Sequence, residues 1–243
     1  MNGFNSFCEK FQFVFVEDAR YKLILKGLTN TLEITAFALL IGIVIGVILA
    51  SIRSTYDKNI ESLKKYKGPK YVLLTILDIL ARIYLTVIRG TPTVVQLLIA
   101  YFIIFESATN GVPVAIFAFG INSGAYVAEI LRGGIMSIPD GQFEASRSLG
   151  FNYFQTMRYV VIPQVFKSVL PALCNEFIVL IKETSVAGYV GVNDLTKAGD
   201  LIRGRTFEAM LPLLGVAAIY LILVMILTQL VGKLERRLRV NER

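Results

Sequence analysis

Histidine and tryptophan are absent from this 243-residue chain, and cysteine occurs only twice, as Cys8 and Cys174. The lack of histidine removes the commonest proton shuttle and metal ligand, and with it any Ser–His or Cys–His nucleophile pair. Two cysteines far apart in sequence, in different contexts, point to neither a disulfide nor a metal site. A phosphate-binding loop of the G-x-x-x-x-G-K-[ST] type is missing as well. Gly133-Gly134 and the stretch from Gly188 to Gly191 lack its lysine and strand context, so the chain is not expected to hydrolyse ATP. An intramembrane aspartyl protease needs two aspartates in separate spans, and Asp78 is the only one well within an apolar stretch. An enzymatic reading of the isolated chain is therefore set aside.

Charge is scarce too. Only 18% of residues are charged, against about a quarter in soluble domains. What fills the chain instead is apolar: 55% hydrophobic residues and a mean hydropathy of +0.62. That combination predicts an all-α polytopic membrane protein and leaves no room for a separate soluble domain. The net charge of +7 would suggest nucleic acid in a soluble protein. Here it is better explained by Lys and Arg gathered in loops facing the cytoplasm. The N-terminus, mixed in charge and without a long apolar run before Leu23, does not resemble a cleaved signal peptide.

Residues 1–27 mix Phe4, Phe7, Phe11, Phe13 and Phe15 with charges and read as an amphipathic lead-in to a transmembrane domain over 28–243. The first span is expected over Leu28–Ile52, followed by a cytoplasmic loop over 53–70 carrying Arg53, Lys58, Lys64, Lys65, Lys67 and Lys70 against Asp57 and Glu61. Tyr71–Phe105 is too long for one simple span, since 35 helical residues would reach roughly 50 Å. Its Arg89-Gly90-Thr91-Pro92 predicts a break or kink whose freed backbone groups need partners within protein. Asp78 and Arg82, four apart, can pair on one helix face. Residues 106–112 form a turn without Lys or Arg. Further spans follow at Pro113–Met136, Val165–Ile181 and Leu211–Val231, with a polar connection over 182–208 and a basic end at Lys233, Arg236, Arg237 and Arg239. If residues 53–70, 137–163 and 233–243 all face inside, the count is five spans with the N-terminus outside. Lys197, Arg203 and Arg205 sit on the wrong side for that topology, and the segment holding them is expected to be buried in protein.

Polar residues in or beside spans are expensive, so function is the default hypothesis for them. They form three clusters: Arg89, Gly90, Thr91, Pro92 and Gln96; then Asn122, Ser123, Tyr126, Glu129, Arg132, Gly133 and Gly134; then Lys182, Glu183, Thr184 and Ser185. Plainer readings stand beside the functional one. Arg132 and Lys182 suit snorkelling at span ends, Glu129 and Arg132 an internal ion pair, and Thr and Ser bonds to their own helix carbonyls. Asn122 and Gln96 resist such readings, because an amide inside a span wants a partner.

The stretch Asp140–Pro163, DGQFEASRSLGFNYFQTMRYVVIP, lies between apolar segments yet carries Asp140, Glu144, Arg147 and Arg158. Asp140 suits an N-cap, Glu144 the first helical turn and Gly150 a helix stop, before the exposed-looking aromatics Phe151, Tyr153 and Phe154. A solvated loop between spans is the bland alternative. The spacing argues for more. Glu144-Ala145-Ser146, three residues, Gly150, nine residues, Val160, one residue and Ile162-Pro163 resembles the cytoplasmic E-A-A loop of ABC importer permeases. Ser146, Val160 and Ile162 replace that pattern's Ala, Ile and Leu. In that family the loop, here about 137–163, is the coupling helix that docks on the ATP-hydrolysing subunit.

RGTPTVVQ, NSGAYVAEILRGGI, IPDGQFEASRSLG and KETSVAGYVGV together resemble the polar-amino-acid subfamily of ABC permeases, from about Arg89 to Gly191. The resemblance implies the type I importer permease fold and a place in the bacterial cytoplasmic (inner) membrane, surrounded by lipid. It implies pairing with a second permease, as a homodimer or with a close homologue, and an ABC ATPase beneath each. An extracytoplasmic amino-acid-binding protein delivers substrate. No cofactor is expected on this chain; ATP and Mg would be held by the ATPase, and no nucleic acid is involved. ATPase coupling falls on Glu144, Ala145, Ser146, Gly150, Phe151, Phe154 and Pro163. Substrate contacts fall on Thr91, Gln96, Asn122, Tyr126, Glu129, Lys182, Glu183 and Thr184, with Glu129 or Glu183 the counter-charge for a cationic amino acid. An ion-coupled secondary transporter would explain the intramembrane carboxylates but not the E-A-A spacing. A non-transporting scaffold would explain the docking loop but not the polar groups inside spans.

Overall fold

The computed structural model describes residues 2–66 and 68–240, with side chains described over 7–58 and 68–238. The side chains of Phe4, Glu61, Lys64, Lys65, Lys67 and Arg239 lie outside the described residues. Every regular element among the described residues is helical. Helix α1 (Asn2–Phe11) passes through a wide π turn over Gln12–Val16 into α2 (Tyr21–Tyr66). Then come α3 (Pro69–Gly90), α4 (Thr93–Ile99), α5 (Gly111–Met136), α6 (Asp140–Ser148) and α7 (Tyr153–Thr156). The chain ends with α8 (Ile162–Glu183), α9 (Leu195–Thr206) and α10 (Met210–Val240). Five helical segments are long and apolar enough to cross a membrane: Tyr21–Lys58, Pro69–Gly90, Gly111–Met136, Tyr153–Val190 and Met210–Leu238.

Two stretches differ from the sequence expectation. The loop expected over 53–70 is helical as far as Tyr66. After Gly46 no glycine or proline interrupts the chain until Gly68-Pro69, where Gly68 is an extended N-cap and Pro69 starts α3. Charge alone gives no reason for a helix to stop. The second stretch is the polar connection over 182–208, which is compactly folded as a 3-10 segment (Thr184–Val190) followed by α9. The expected break at Gly90-Thr91-Pro92 is present: α3 ends at Gly90, and Thr91 is extended at φ −118°, ψ 144°.

Two compact units emerge. One comprises Met1–Ala38, Thr93–Phe119 and Phe177–Leu230. Its core gathers Val14, Ile24, Leu195, Ala198, Ile202, Leu211 and Val216. Asp194 caps α9, its carboxylate accepting from the Thr196 and Lys197 amides at 2.9 and 3.2 Å. Burial pushes that carboxyl up, against the pull of those amide bonds. The burial expected of this segment is thus observed. Lys197 and Arg203 both reach Asp200, at 3.0 and 2.6 Å, and Arg203 above all holds the Asp200 carboxyl below its ordinary value. Local pairing therefore tempers the basic charge that strained the topology.

The other unit comprises Leu39–Pro92, Gly120–Glu176 and Val231–Arg243. Here α2 and α5 meet backbone to backbone. A Cβ on Gly46 would stand 2.5 Å from Val127 Cγ1, and one on Gly124 would stand 2.8 Å from Ile45 Cγ2. Gly42 and Gly46, four apart, make the small-residue stripe that lets membrane helices approach closely. All the coupling-loop residues belong to this unit.

Candidate functional site

Helix α6 is the short helix expected in the central stretch, but its start differs from the sequence reading. Pro139, at φ −57° and ψ 140°, is the N-cap without a side-chain bond, and Asp140 is the first helical residue. Proline supplies the extended entry itself, so Asp140 turns away, and its carboxylate lies 3.5 Å from Lys58 Nζ. Phe143 and Ser146 form the buried face, at 6% and 3% exposure. Phe143 packs with Ile138, Val161, Val165 and Val169, and the Lys58 ammonium sits 3.7 Å from its ring centroid. The Ser146 hydroxyl donates to Gln142 O at 2.7 Å. Ser146 thus lies on the inward face of α6, its hydroxyl bonded within its own helix.

The end of α6 matches expectation. Gly150 has φ +83°, a backbone that β-carbon residues rarely adopt. Its amide and that of Phe151 donate back to Arg147 O and Ser146 O at 2.9 and 3.0 Å. Asn152 and Gln155 then form a reciprocal capping box at the start of α7, both bonds 2.9 Å. Glu144, Ala145 and Pro163 are exposed, and so are Leu149 at 77% and Phe154 at 71%. Phe151 is half-buried rather than exposed, tilted against Tyr159 with centroids 6.4 Å apart. Leu149 was not singled out in the sequence, because an apolar residue before a helix-stop glycine reads as core.

A second feature lies in the same unit. Arg53 on α2 reaches Glu129 on α5 at 2.8 Å and Asp78 on α3 at 3.6 Å. Asp78 binds Arg82 at 2.6 Å, and Arg82 lies 3.9 Å from Asp57. Arg132 completes the circuit, 3.1 Å from Asp57 and 3.3 Å from Glu129. The expected pairs Asp78–Arg82 and Glu129–Arg132 are both present. Arg132 is held by two carboxylates, which excludes simple snorkelling. A cavity of about 550 Å³ opens beside these charges, lined by Arg53, Arg82, Leu85, Thr86, Arg89, Gly90, Tyr126 and Glu129. Arg89 stands 5.7 Å from the Tyr126 ring centroid.

Among the expected substrate residues, this cavity brings together Tyr126 and Glu129. Asn122 is buried in the same unit, one residue from Ser123, whose hydroxyl donates to the Glu176 carboxylate at 2.9 Å. Thr91 is exposed and donates to Val87 O at 2.8 Å. In the other unit Thr184 is buried and donates to Ile181 O at 2.8 Å, Lys182 is exposed, and Gln96 and Glu183 are partly buried. For Thr91 and Thr184 the plain helix-carbonyl bond is what the structure holds. Arg53, Asp57 and Glu176 were missed as functional candidates. The first two looked like loop charges, while Glu176, a lone carboxylate inside an apolar span, carried a signal that went unused.

Comparison with known proteins places these features. Residues 71–240 match the family described as "Binding-protein-dependent transport system inner membrane component". The glutamine transport system permease protein of Escherichia coli K12 is 35% identical over 223 residues, 90% of this chain and 94% of that protein. The arginine transport system permease protein of Bacillus subtilis is 34% identical over the same length, with the same coverage. A crystal structure of an amino acid ABC transporter with histidines superposes with a TM-score of 0.78 at 37% identity, covering 92% of this chain and 98% of that one. The inward-facing methionine ABC transporter MetNI shares the fold, with a TM-score of 0.74 at 21% identity over 90% of this chain and 97% of that one.

Proposed function

The chain belongs to the family of binding-protein-dependent transport system inner membrane components, and from that premise we propose that it moves polar amino acids as the permease subunit of an ATP-driven ABC importer. Membership makes it a multi-pass inner-membrane protein that works with a separate ATPase and a solute-binding protein. It also favours this reading over an ion-coupled secondary transporter. The amino-acid class rests on the glutamine and arginine relatives together with the histidine-containing amino acid transporter structure.

Helix α6 is the docking element for the ATPase. The observation that carries this is its division into two faces. Phe143 and Ser146 are buried in the chain's own unit, while Glu144, Ala145, Leu149 and Phe154 stand outward with nothing packed over them. Ala145 permits close approach, and Leu149 and Phe154 supply apolar area for a groove. Gly150 and Pro163 fix the shape of the loop. ATP and Mg belong to the ATPase, and the chain pairs in the membrane with a second copy or a sister permease, its N-terminus outside. Thr91, Gln96, Asn122, Tyr126, Glu129, Lys182, Glu183 and Thr184 remain the substrate candidates, the Thr91 and Thr184 hydroxyls each donating to a helix carbonyl.

The test is uptake of radiolabelled amino acids into proteoliposomes holding this chain with its co-purifying ATPase, with and without enclosed ATP and external binding protein. ATP-dependent uptake of a glutamine, arginine, lysine or histidine supports the reading. Uptake driven by an ion gradient without ATP sinks it. Gly150→Asp should abolish stimulated hydrolysis and uptake while the chain still inserts normally.

A further inference from the structure

The six charges described above close on themselves: Arg53, Asp78, Arg82, Asp57, Arg132 and Glu129 alternate in sign around a complete ring. Each helix contributes one cation and one anion: Arg53 and Asp57 from α2, Arg82 and Asp78 from α3, Arg132 and Glu129 from α5. Three positive and three negative charges cancel, which is what allows such a cluster to sit among spans.

The ring is not uniformly tight. On the Asp78 side the carboxylate is 3% exposed and bound at 2.6 Å to Arg82. The longest link is Arg82–Asp57 at 3.9 Å, to an Arg82 side chain that is 52% exposed, whereas Arg132 holds Asp57 at 3.1 Å and Arg53 stands 3.6 Å from Asp78. The Arg82–Asp57 link, long and exposed at its Arg82 end, is weak and exchanges readily with water. The residue after Asp57 is Lys58, which grips α6 through Asp140 and the Phe143 ring. The longest link of the ring therefore ends one residue before the side chain that joins α2 to α6. Arg132 is tied to α6 in turn, four residues before the end of α5, which leads directly into that helix.

We propose that this closed ring of six charges transmits displacement of α6 to α2 and α3, and that it opens and recloses at Asp57. Its members are positioning residues. They touch neither ATP nor the ATPase, but they make α3, and with it the Gly90-Thr91-Pro92 break, follow the docking helix. The cavity beside the ring gives Arg82 and Arg53 room to swing when the Asp57 links part. The proposal rests on α6 being the docking helix, and the experiment separates the two.

The experiment uses the reconstituted complex of this chain with its ATPase. Co-purification of the ATPase reports docking, and the number of ATP molecules hydrolysed per substrate imported reports transmission. Asp57→Asn should leave co-purification unchanged and raise the ATP cost of import severalfold, and Asp57→Glu should restore it. Arg82→Gln removes the 3.9 Å link to Asp57 together with the 2.6 Å bond to the buried Asp78, so it should act in the same direction with an added loss of stability. A native cost in both folded neutral variants overturns the proposal. Loss of the folded complex in both assigns the ring to folding alone and overturns it as well. If instead the ATPase co-purifies with the native chain and changes on the exposed face of α6 leave that binding unaffected, the docking reading fails.

Discussion

Phe143→Ala separates what anchors α6 to its own chain from what α6 offers to a partner. Phe143 is 6% exposed, within the cluster of Ile138, Val161, Val165 and Val169. Truncating such a phenylalanine costs about 3–5 kcal/mol where the surroundings cannot collapse. Helix α6 lies at the edge of its unit, with a cavity of about 580 Å³ alongside, so partial collapse favours the lower figure, about 3 kcal/mol. Lys58, at 3.7 Å from the ring and 17% exposed in its side chain, adds a cation–π contribution of about 1 kcal/mol. A total near 4 kcal/mol shifts the local equilibrium between seated and loosened α6 by roughly a thousandfold. The expected outcome is a chain that inserts and keeps its spans, binds ATPase weakly, and no longer couples hydrolysis to uptake. Phe154→Ala is the control. Its ring is 71% exposed, so the variant should melt like the native chain and lose only ATPase affinity. Melting of the detergent-solubilised chain, ATPase co-purification and proteoliposome uptake give the three readouts. Native melting and native coupling in Phe143→Ala would refute the two-faced reading of α6, and so would a destabilised Phe154→Ala.

Other outcomes follow from single positions. Gly46→Leu drives side-chain atoms into Val127, whose Cγ1 would already lie 2.5 Å from an added Cβ, and should cost about 1–3 kcal/mol or more in detergent melting. Gly133→Ala, with nothing within 4 Å of its added Cβ, should be neutral or slightly stabilising. Asp194→Ala removes an N-cap that accepts two amides and should cost about 0.5–2 kcal/mol. The Asp194 carboxyl is raised by burial, so its contribution to stability is fully present below its unfolded value near 3.8 and is lost as pH rises through the folded value. Asp194→Asn keeps the cap without the buried charge. It should therefore melt at or above the native temperature at pH 7, and a clear loss there would show that the ionised form is favoured instead.

Much of this protein is determined by its sequence alone, because a bilayer imposes one rule at a time. Apolar runs of sufficient length must be spans, so five of them could be read directly. Gly90-Thr91-Pro92 must break a helix, and Gly150 must end one, because backbone sterics act on the residue itself. The spacing from Glu144 to Pro163 carried the family in the same local way. What the tertiary structure decided is which charges meet. Arg53 and Asp57 looked like loop residues because nothing local distinguishes a solvated basic segment from a helix continuing past the span. Only the packing of α2 and α5 through Gly46 and Gly124 brings Arg53 within 2.8 Å of Glu129. Likewise, Ser146 and Leu149 exchanged the roles that their chemistry suggests. The hydroxyl is buried on its own helix and the leucine is exposed, since the orientation of α6 is set by where Phe143 finds its pocket. Pairing across dozens of residues depends on helix rotation and closest approach, and those are properties of the packed chain rather than of any stretch within it.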